Sequence, residues 1–171
     1  MCLPRLPRGH RAKIQAGHAG VAGQSRRSWY RTASMPSIFT RIINGEIPCH
    51  RVYEDDHVIA FLDIAPLSRG HVLVVPKEER MRLDQLSEAS AAALGRALRS
   101  VAAAVVKVTG CVDYNVLQNN GVAAHQAVMH VHFHIIPKYA DGSGLGVKWN
   151  AGSAPADAAE LAGEISTSIP R

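Results

Sequence analysis

The chain has 171 residues, 47% of them hydrophobic, and a formal net charge of +5. This length predicts one globular domain rather than two, and the sequence contains no run of about 18 or more apolar residues that could cross a bilayer. Three cysteines without a Cys-x-x-Cys pair exclude both a secreted disulfide framework and a zinc ribbon.

The positive charge is concentrated at the N-terminus. Residues 1–35 contain seven of the nineteen Lys and Arg residues and no acid, which leaves 36–171 with 12 basic and 14 acidic side chains. We interpret 1–35 as a disordered basic leader or a transit peptide, 36–150 as the folded domain, and 151–171 as a tail. Because the domain has no excess of basic residues, long nucleic acid is not an expected partner. We expect a cytoplasmic or nuclear protein, or a mitochondrial one where the leader acts as a transit peptide.

After the leader, the first predicted element is a short helix over residues 37–45. Ser37 can cap its first turn and Gly45 can end it. Three β-rich segments follow, separated by turn-forming residues, and predict a meander of antiparallel strands over 51–54, 57–63 and 71–76.

The second half of the domain begins with an Ala-rich segment over residues 87–109. It lies between the cap residue Ser87 and Gly110, and it predicts one long helix. The charged run at 78–82 before it is interpreted as a solvated turn. Two further strands are predicted over 114–118 and 128–136, with Pro137 ending the last, and a weak helix over 156–166. These elements predict an α+β fold.

The last predicted strand has a histidine at every second position: His130, His132 and His134. Successive side chains of a strand point to opposite faces, so the three imidazoles share one face, and Val131, Phe133 and Ile135 share the other. Clusters of titratable groups mark functional sites. One interpretation is a metal site. The other is attack of a central neutral imidazole on phosphorus, with flanking groups holding the charged oxygens and protonating the leaving group.

The segment His130-Val-His-Phe-His-Ile-Ile136 resembles the signature of the histidine-triad (HIT) family of nucleotide hydrolases and transferases. Further blocks resemble that family in the same order, at 38–48, 60–66, 70–76 and 118–121. The resemblance covers 37–149 and is closest to the histidine-triad nucleotide-binding (HINT) branch. It implies a HIT-like α+β fold with an antiparallel sheet that continues across a homodimer. It also implies hydrolysis of adenosine 5′-phosphoramidates to AMP without a metal or other cofactor, with dinucleoside polyphosphate hydrolysis or a nucleotide-binding scaffold role as alternatives.

The resemblance also implies a role for each site residue. His132 would be the nucleophile that forms a nucleotidyl intermediate, His134 would contact the phosphate, and His130 and His71 would orient the centre. Asp63 would bind the ribose hydroxyls. The remaining nucleotide-binding residues are Asn119 on the phosphate or ribose side, Gln126 as a neutral donor to phosphate oxygens, and Phe39, Ile42, Phe61 and Ile64 around the base.

The chain departs from the family pattern at three places. Ser37 and Thr40 occupy positions where many relatives carry Cys-x-x-Cys, which implies that the structural zinc of some relatives is absent. His125 and Ala127 replace the Gly and Ser of animal members in a stretch near the leaving group. Trp149 falls where a C-terminal Trp of relatives reaches towards the partner's site.

Overall fold

The structure is a computed structural model, and it describes residues 35–170. The interpretation of 1–35 as a leader therefore lies, apart from Met35, outside the described residues. The described part of the chain contains five strands and three α-helices: α1 (Ile38–Ile43), β1 (Arg51–Glu54), β2 (Val58–Leu62), β3 (Val72–Pro76), α2 (Glu88–Thr109), β4 (Asp113–Gln118), β5 (Phe133–Lys138) and α3 (Ala158–Ser168). The α+β prediction is confirmed.

The five strands form one antiparallel sheet in the order β1-β2-β3-β5-β4. The predicted meander is confirmed for β1, β2 and β3, while β5 inserts between β3 and β4. The strand that carries His134 is therefore paired on both sides, and β1 and β4 form the two edges of the sheet.

The predicted capping residues of α1 and α2 are confirmed. The Ser37 hydroxyl accepts the Thr40 N–H at 3.0 Å and so caps α1. Ser87 caps α2 in the same way, and Gly110 ends α2 in the left-handed region with φ +70°.

The sheet has a separate apolar cluster on each face. The long helix α2 covers one face, against residues such as Val58, Val72 and Ile135. The short helix α1 covers the other face with Phe39 and Ile42, packed on a group that shares β2 and β3: Ile59, Phe61, Leu73 and Val75. Strands β2 and β3 are covered on both faces, which explains why nearly all of their residues are apolar.

Helix α2 is long and apolar enough, by length and composition alone, to cross a membrane, and no other helix of the described residues is. The segment is not an uninterrupted apolar run of the kind that the sequence analysis excluded, because Arg96 and Arg99 lie within it. Its buried residues belong to the cluster on the sheet, so the structure uses α2 as a core helix.

The last strand begins later and ends later than predicted, since β5 is Phe133–Lys138 rather than 128–136. It continues through Pro137 because its ladder with β4 extends to Lys138. The Ser68 hydroxyl donates to the Pro137 carbonyl at 2.6 Å and so satisfies that oxygen. In an antiparallel strand the N–H and C=O of one residue point to the same neighbouring strand, so the nitrogen of Pro137 also points to the β3 side. Pro137 lies past the last β3–β5 pair, Val72 and Ile135, so its lack of an N–H removes no bond of that ladder. The C-terminal helix α3 is also shifted from 156–166, and none of its residues is buried.

Candidate active site

The three triad histidines lie together on the sheet face that α1 covers. The Phe39 ring contacts two of them edge-on, with centroids 5.0 Å from His132 and 5.9 Å from His130. Val131 and Ile135 are buried in the α2 cluster on the opposite face. The predicted shared face is therefore confirmed, although His130 and His132 precede the first residue of β5.

The tautomer of His132 is fixed by its own chain. Its Nδ1 lies 2.7 Å from the carbonyl oxygen of His130, which can only accept, so Nδ1 carries the proton and Nε2 keeps its lone pair. His132 is 5% exposed, and burial lowers the pKa of its imidazole. The ring is therefore neutral at pH 7, with a free nucleophilic nitrogen.

A chain of hydrogen bonds fixes the tautomers of His71 and His134. The Leu67 N–H donates to His71 Nδ1 at 3.2 Å, so the His71 proton lies on Nε2. That Nε2–H donates to His134 Nδ1 at 2.9 Å, which leaves the His134 proton on its own Nε2. Burial, followed by the neighbouring His132 and His71, lowers the pKa of His134 to about 4. His134 is thus a neutral N–H donor beside His132, with ring centroids 5.0 Å apart.

Asp63 lies next to this chain. Its Oδ1 accepts the Ala65 N–H at 2.9 Å, and its Oδ2 lies 3.5 Å from His71 Nε2. One ligand atom each from Asp63, His71 and His134 lie within 4.8 Å of one another, close enough for all three to bind one metal ion. Ligation through His71 Nε2 would move its proton to Nδ1, facing the Leu67 N–H. The geometry therefore favours the hydrogen-bond chain over a metal site.

His130 is fully buried and both of its ring nitrogens are bonded within the protein. Nε2–H donates to the Pro76 carbonyl at 2.8 Å, and Nδ1 lies 2.8 Å from the Ser37 hydroxyl. Burial lowers its pKa as well. His130 is therefore unable to ligate an ion together with His132, which disfavours a metal on the triad itself.

The charged run at 78–82 is a largely solvent-exposed bend before α2, as predicted, but two of its carboxylates also form specific hydrogen bonds. Glu78 accepts the N–H and O–H of Ser87 at the start of α2, at 3.1 and 2.7 Å. Glu79 accepts from Ser37 and Thr40, beside His130. Sequence reasoning missed Glu79 and the hydroxyls because these contacts join residues about 40 to 90 positions apart and follow no local pattern.

The residues predicted around the base are placed in two different environments. Phe39, Ile42 and Phe61 are buried together in the α1 cluster, and the Phe39 and Phe61 rings lie 5.9 Å apart. Ile64 is 94% exposed, directly after Asp63. The structure thus brings three of the four together beside the triad and leaves Ile64 at the surface.

Gln126 and Asn119 lie in the loop that precedes the triad. Gln126 is buried, and its amide accepts the Gly121 N–H at 2.6 Å and donates to the Met81 carbonyl at 2.7 Å. Both ends of this side chain therefore hold the loop. Asn119 is half-buried and donates to the carbonyl of His125 at 3.3 Å. His125 is exposed and has a left-handed backbone, with φ +64°.

A cavity of about 440 Å³ lies on the other face of the sheet, between α2 and the first three strands. Its lining is mostly apolar and includes Val52, Leu62 and Val105, but none of the site histidines. It takes no part in the arrangement described above.

Comparison with known proteins identifies the family. The HIT domain matches residues 44–141. Adenosine 5'-monophosphoramidase hnt1 of Schizosaccharomyces pombe is 46% identical over 136 residues, which are 79% of this chain and 99% of that protein. The chain belongs to the HIT family.

Solved structures of similar proteins have the same fold. A hypothetical protein from Leishmania major is 47% identical, with a TM-score of 0.70 over 77% of this chain and 92% of that one. The histidine triad nucleotide-binding protein from Candida albicans is 36% identical, with a TM-score of 0.69 over 77% and 95%. The HIT resemblance seen in the sequence is confirmed.

Proposed function

We propose that this HIT protein hydrolyses adenosine and other purine nucleoside 5′-phosphoramidates to the nucleoside monophosphate and an amine, through a covalent nucleotidyl-His132 intermediate. The observation that carries the proposal is the bond from His132 Nδ1–H to the His130 carbonyl, which leaves Nε2 free to attack. The relative from S. pombe, named as an adenosine 5'-monophosphoramidase, supports the same substrate class.

In the first step, His132 Nε2 attacks the α-phosphorus. An N–P bond forms at Nε2, the P–N bond to the amine breaks, and the amine takes a proton from solvent. The imidazolium that forms is stabilised because its Nδ1–H already donates to a carbonyl oxygen. In the second step, water attacks phosphorus and gives up a proton to solvent, the Nε2–P bond breaks with its electron pair returning to Nε2, and the nucleoside monophosphate leaves.

The neighbouring groups hold the substrate for this attack. The Nε2–H of His134 donates to a phosphate oxygen, and His71 keeps that proton in place. The Asp63 carboxylate, whose side chain is 15% exposed, accepts from the ribose hydroxyls. The exposed Ile64 covers one side of the base, and the edges of Phe39, Ile42 and Phe61 form the floor. Asn119 and Gln126 border the phosphate side, with Gln126 acting through the loop that it holds.

We also propose that the enzyme is a homodimer whose sheet continues from one subunit to the next. The support lies in the two sheet edges of the described chain. Strand β1 is interrupted by a bulge between Arg51 and Tyr53, whereas β4 is regular and exposes Tyr114 and Val116. A regular apolar edge is the kind that pairs with another strand.

The test is hydrolysis of an AMP-amine conjugate by the wild type and by His132→Ala, with a chelator present throughout. We expect a loss of kcat of about a thousandfold in the variant. The control is His57→Ala, an exposed histidine outside the site, which should keep full activity. Mass spectrometry of enzyme quenched during turnover should find the nucleotidyl group on His132.

A panel that includes diadenosine polyphosphates separates the alternatives. Preference for the polyphosphates would replace the proposed substrate class. Nucleotide binding without turnover in the wild type would favour a binding or scaffold role. An adduct on another side chain, or activity that depends on added zinc, would remove His132 Nε2 from the mechanism.

A further inference from the structure

We propose that Glu79, Thr40 and Ser37 are positioning residues for the nucleophile: they orient the His130 ring and, through the carbonyl of His130, fix the tautomer of His132. This inference rests on the proposed function only for its kinetic consequence. The hydrogen-bond network itself is a property of the free protein.

The direction of each proton follows from the groups that can only accept. The Glu79 carboxylate accepts the Ser37 N–H at 3.2 Å and the Thr40 hydroxyl proton. The hydroxyl proton of Thr40 is therefore used in its bond to Glu79. His130 Nε2–H donates to the Pro76 carbonyl, so His130 Nδ1 must accept.

Two hydroxyls lie near that nitrogen, at 2.8 Å for Ser37 and 3.5 Å for Thr40. Because Thr40 donates to Glu79, Ser37 becomes the donor to His130. The Ser37 oxygen still accepts the Thr40 N–H as the helix cap. Glu79 thus decides which hydroxyl proton reaches the imidazole.

These side-chain bonds are needed because the sheet does not hold this part of the chain. The ladder between β3 and β5 starts at Phe133, so His130 and His132 have no strand partners in it. Two backbone bonds hold this segment: the His130 N–H donates to the Val128 carbonyl at 2.9 Å, and the Val131 N–H donates to the Arg80 carbonyl at 2.7 Å. Bonds at both nitrogens of the buried His130 ring add a further restraint.

The position of His130 affects the reacting atom, His132 Nε2, through one further hydrogen bond. The His130 carbonyl accepts His132 Nδ1–H at 2.7 Å, and this bond leaves Nε2 unprotonated. If the His130 ring turns, its backbone and carbonyl shift with it, and the His132 proton can move to Nε2. A fraction of the enzyme would then lack a nucleophile.

The test uses Glu79→Gln and Thr40→Val in the full chain. Gln keeps the shape but has one acceptor oxygen for two donors, and Val keeps the shape but lacks the hydroxyl. Thr40→Ser should restore the wild-type behaviour. The matched control is Glu46→Gln, because Glu46 is also an exposed carboxylate at an end of α1, bonded to Arg41 and Asn44 but not to the triad.

The first measurement is the ¹⁵N spectrum of the histidine rings without substrate. We expect single tautomers at His130 and His132 in the wild type and mixed tautomers in both variants. The second is steady-state kinetics, where kcat should fall about three- to tenfold at unchanged KM, a modest loss because Glu79 is exposed to solvent.

Unchanged tautomers and kcat in both variants would overturn the proposal, as would a lower melting temperature without either change, since that is the signature of a structural role alone. Shifted tautomers in a protein whose wild type hydrolyses no phosphoramidate would instead support the network and remove the proposed function.

Discussion

Each histidine of the site takes its tautomer from a backbone group that has only one hydrogen-bonding role. Carbonyl oxygens set His130 and His132, and a backbone N–H sets His71, which in turn sets His134. A backbone carbonyl cannot donate and a backbone N–H cannot accept, so each of these bonds has one direction. In the proposed network, Glu79, Thr40 and Ser37 keep the His130 ring and carbonyl in the position from which they act. The result is one imidazole with a free lone pair beside another with a free N–H.

The role of His71 can be tested by two substitutions of similar size. His71→Leu removes the donor to His134 Nδ1, so that the His134 proton can move away from Nε2, and we expect kcat to fall about tenfold. His71→Gln places an amide N–H near the former Nε2 and should keep most of the activity. Kinetics and ¹⁵N spectra of the His134 ring measure both effects. Equal losses in the two variants, with an unchanged His134 tautomer, would show that only the shape of His71 matters.

Among the elements, those with local signals were predicted well from the sequence. The cap residues Ser37 and Ser87 and the ending residue Gly110 mark helix ends by chemistry that operates within a few residues. The shared face of the three histidines followed from strand alternation alone. The catalytic roles came from the resemblance to the HIT family and stay predictions.

The errors occurred where distant parts of the chain decide the outcome. Whether 128–132 is a strand depends on whether β3 has a free partner there, and Pro76 uses its carbonyl for the His130 ring instead. The passage of β5 through Pro137 depends on its pairing with β4, and the Pro137 carbonyl is satisfied by Ser68. The role of Glu79 depends on α1, about 40 residues earlier in the chain. Sequence periodicity contains none of these tertiary contacts.

The stability of the whole molecule should depend on pH through its buried histidines. Burial lowers the pKa of His71, His130, His132 and His134, to about 4 for His134, whereas an unfolded histidine titrates near 6.5. Between these values the unfolded chain binds more protons than the folded one. The free energy of unfolding therefore falls as pH falls below about 6.5, by up to about 1.4 kcal/mol per pH unit for each histidine.

Urea unfolding at pH 7 and pH 5 measures this dependence. We expect a clearly lower free energy of unfolding at pH 5, and a smaller difference between the two pH values in His134→Gln. The exposed His57→Gln is the control and should keep the wild-type difference. Equal stability of the wild type at both pH values would contradict the assignment of these histidines as buried and neutral.

The proposed dimer can be tested at the backbone of the free edge. The backbone carbonyl of Pro137 points to the β3 side of β5, where it accepts the Ser68 hydroxyl, and so it does not bond to β4. Its partner on β4, Tyr114, therefore directs its N–H and C=O groups away from β5. The same holds for every second residue along β4, which includes Val116 and Gln118.

Val116→Pro therefore removes an outward N–H without removing a bond of the β4–β5 ladder, and proline is tolerated at such edge positions. We expect this variant to remain folded by circular dichroism and to run as a monomer in light scattering, while Val116→Thr, which keeps the N–H and the branched shape, stays a dimer like the wild type. A dimeric Val116→Pro protein would mean that the subunits do not join through this strand, and a monomeric wild type would mean that the sheet ends at β4.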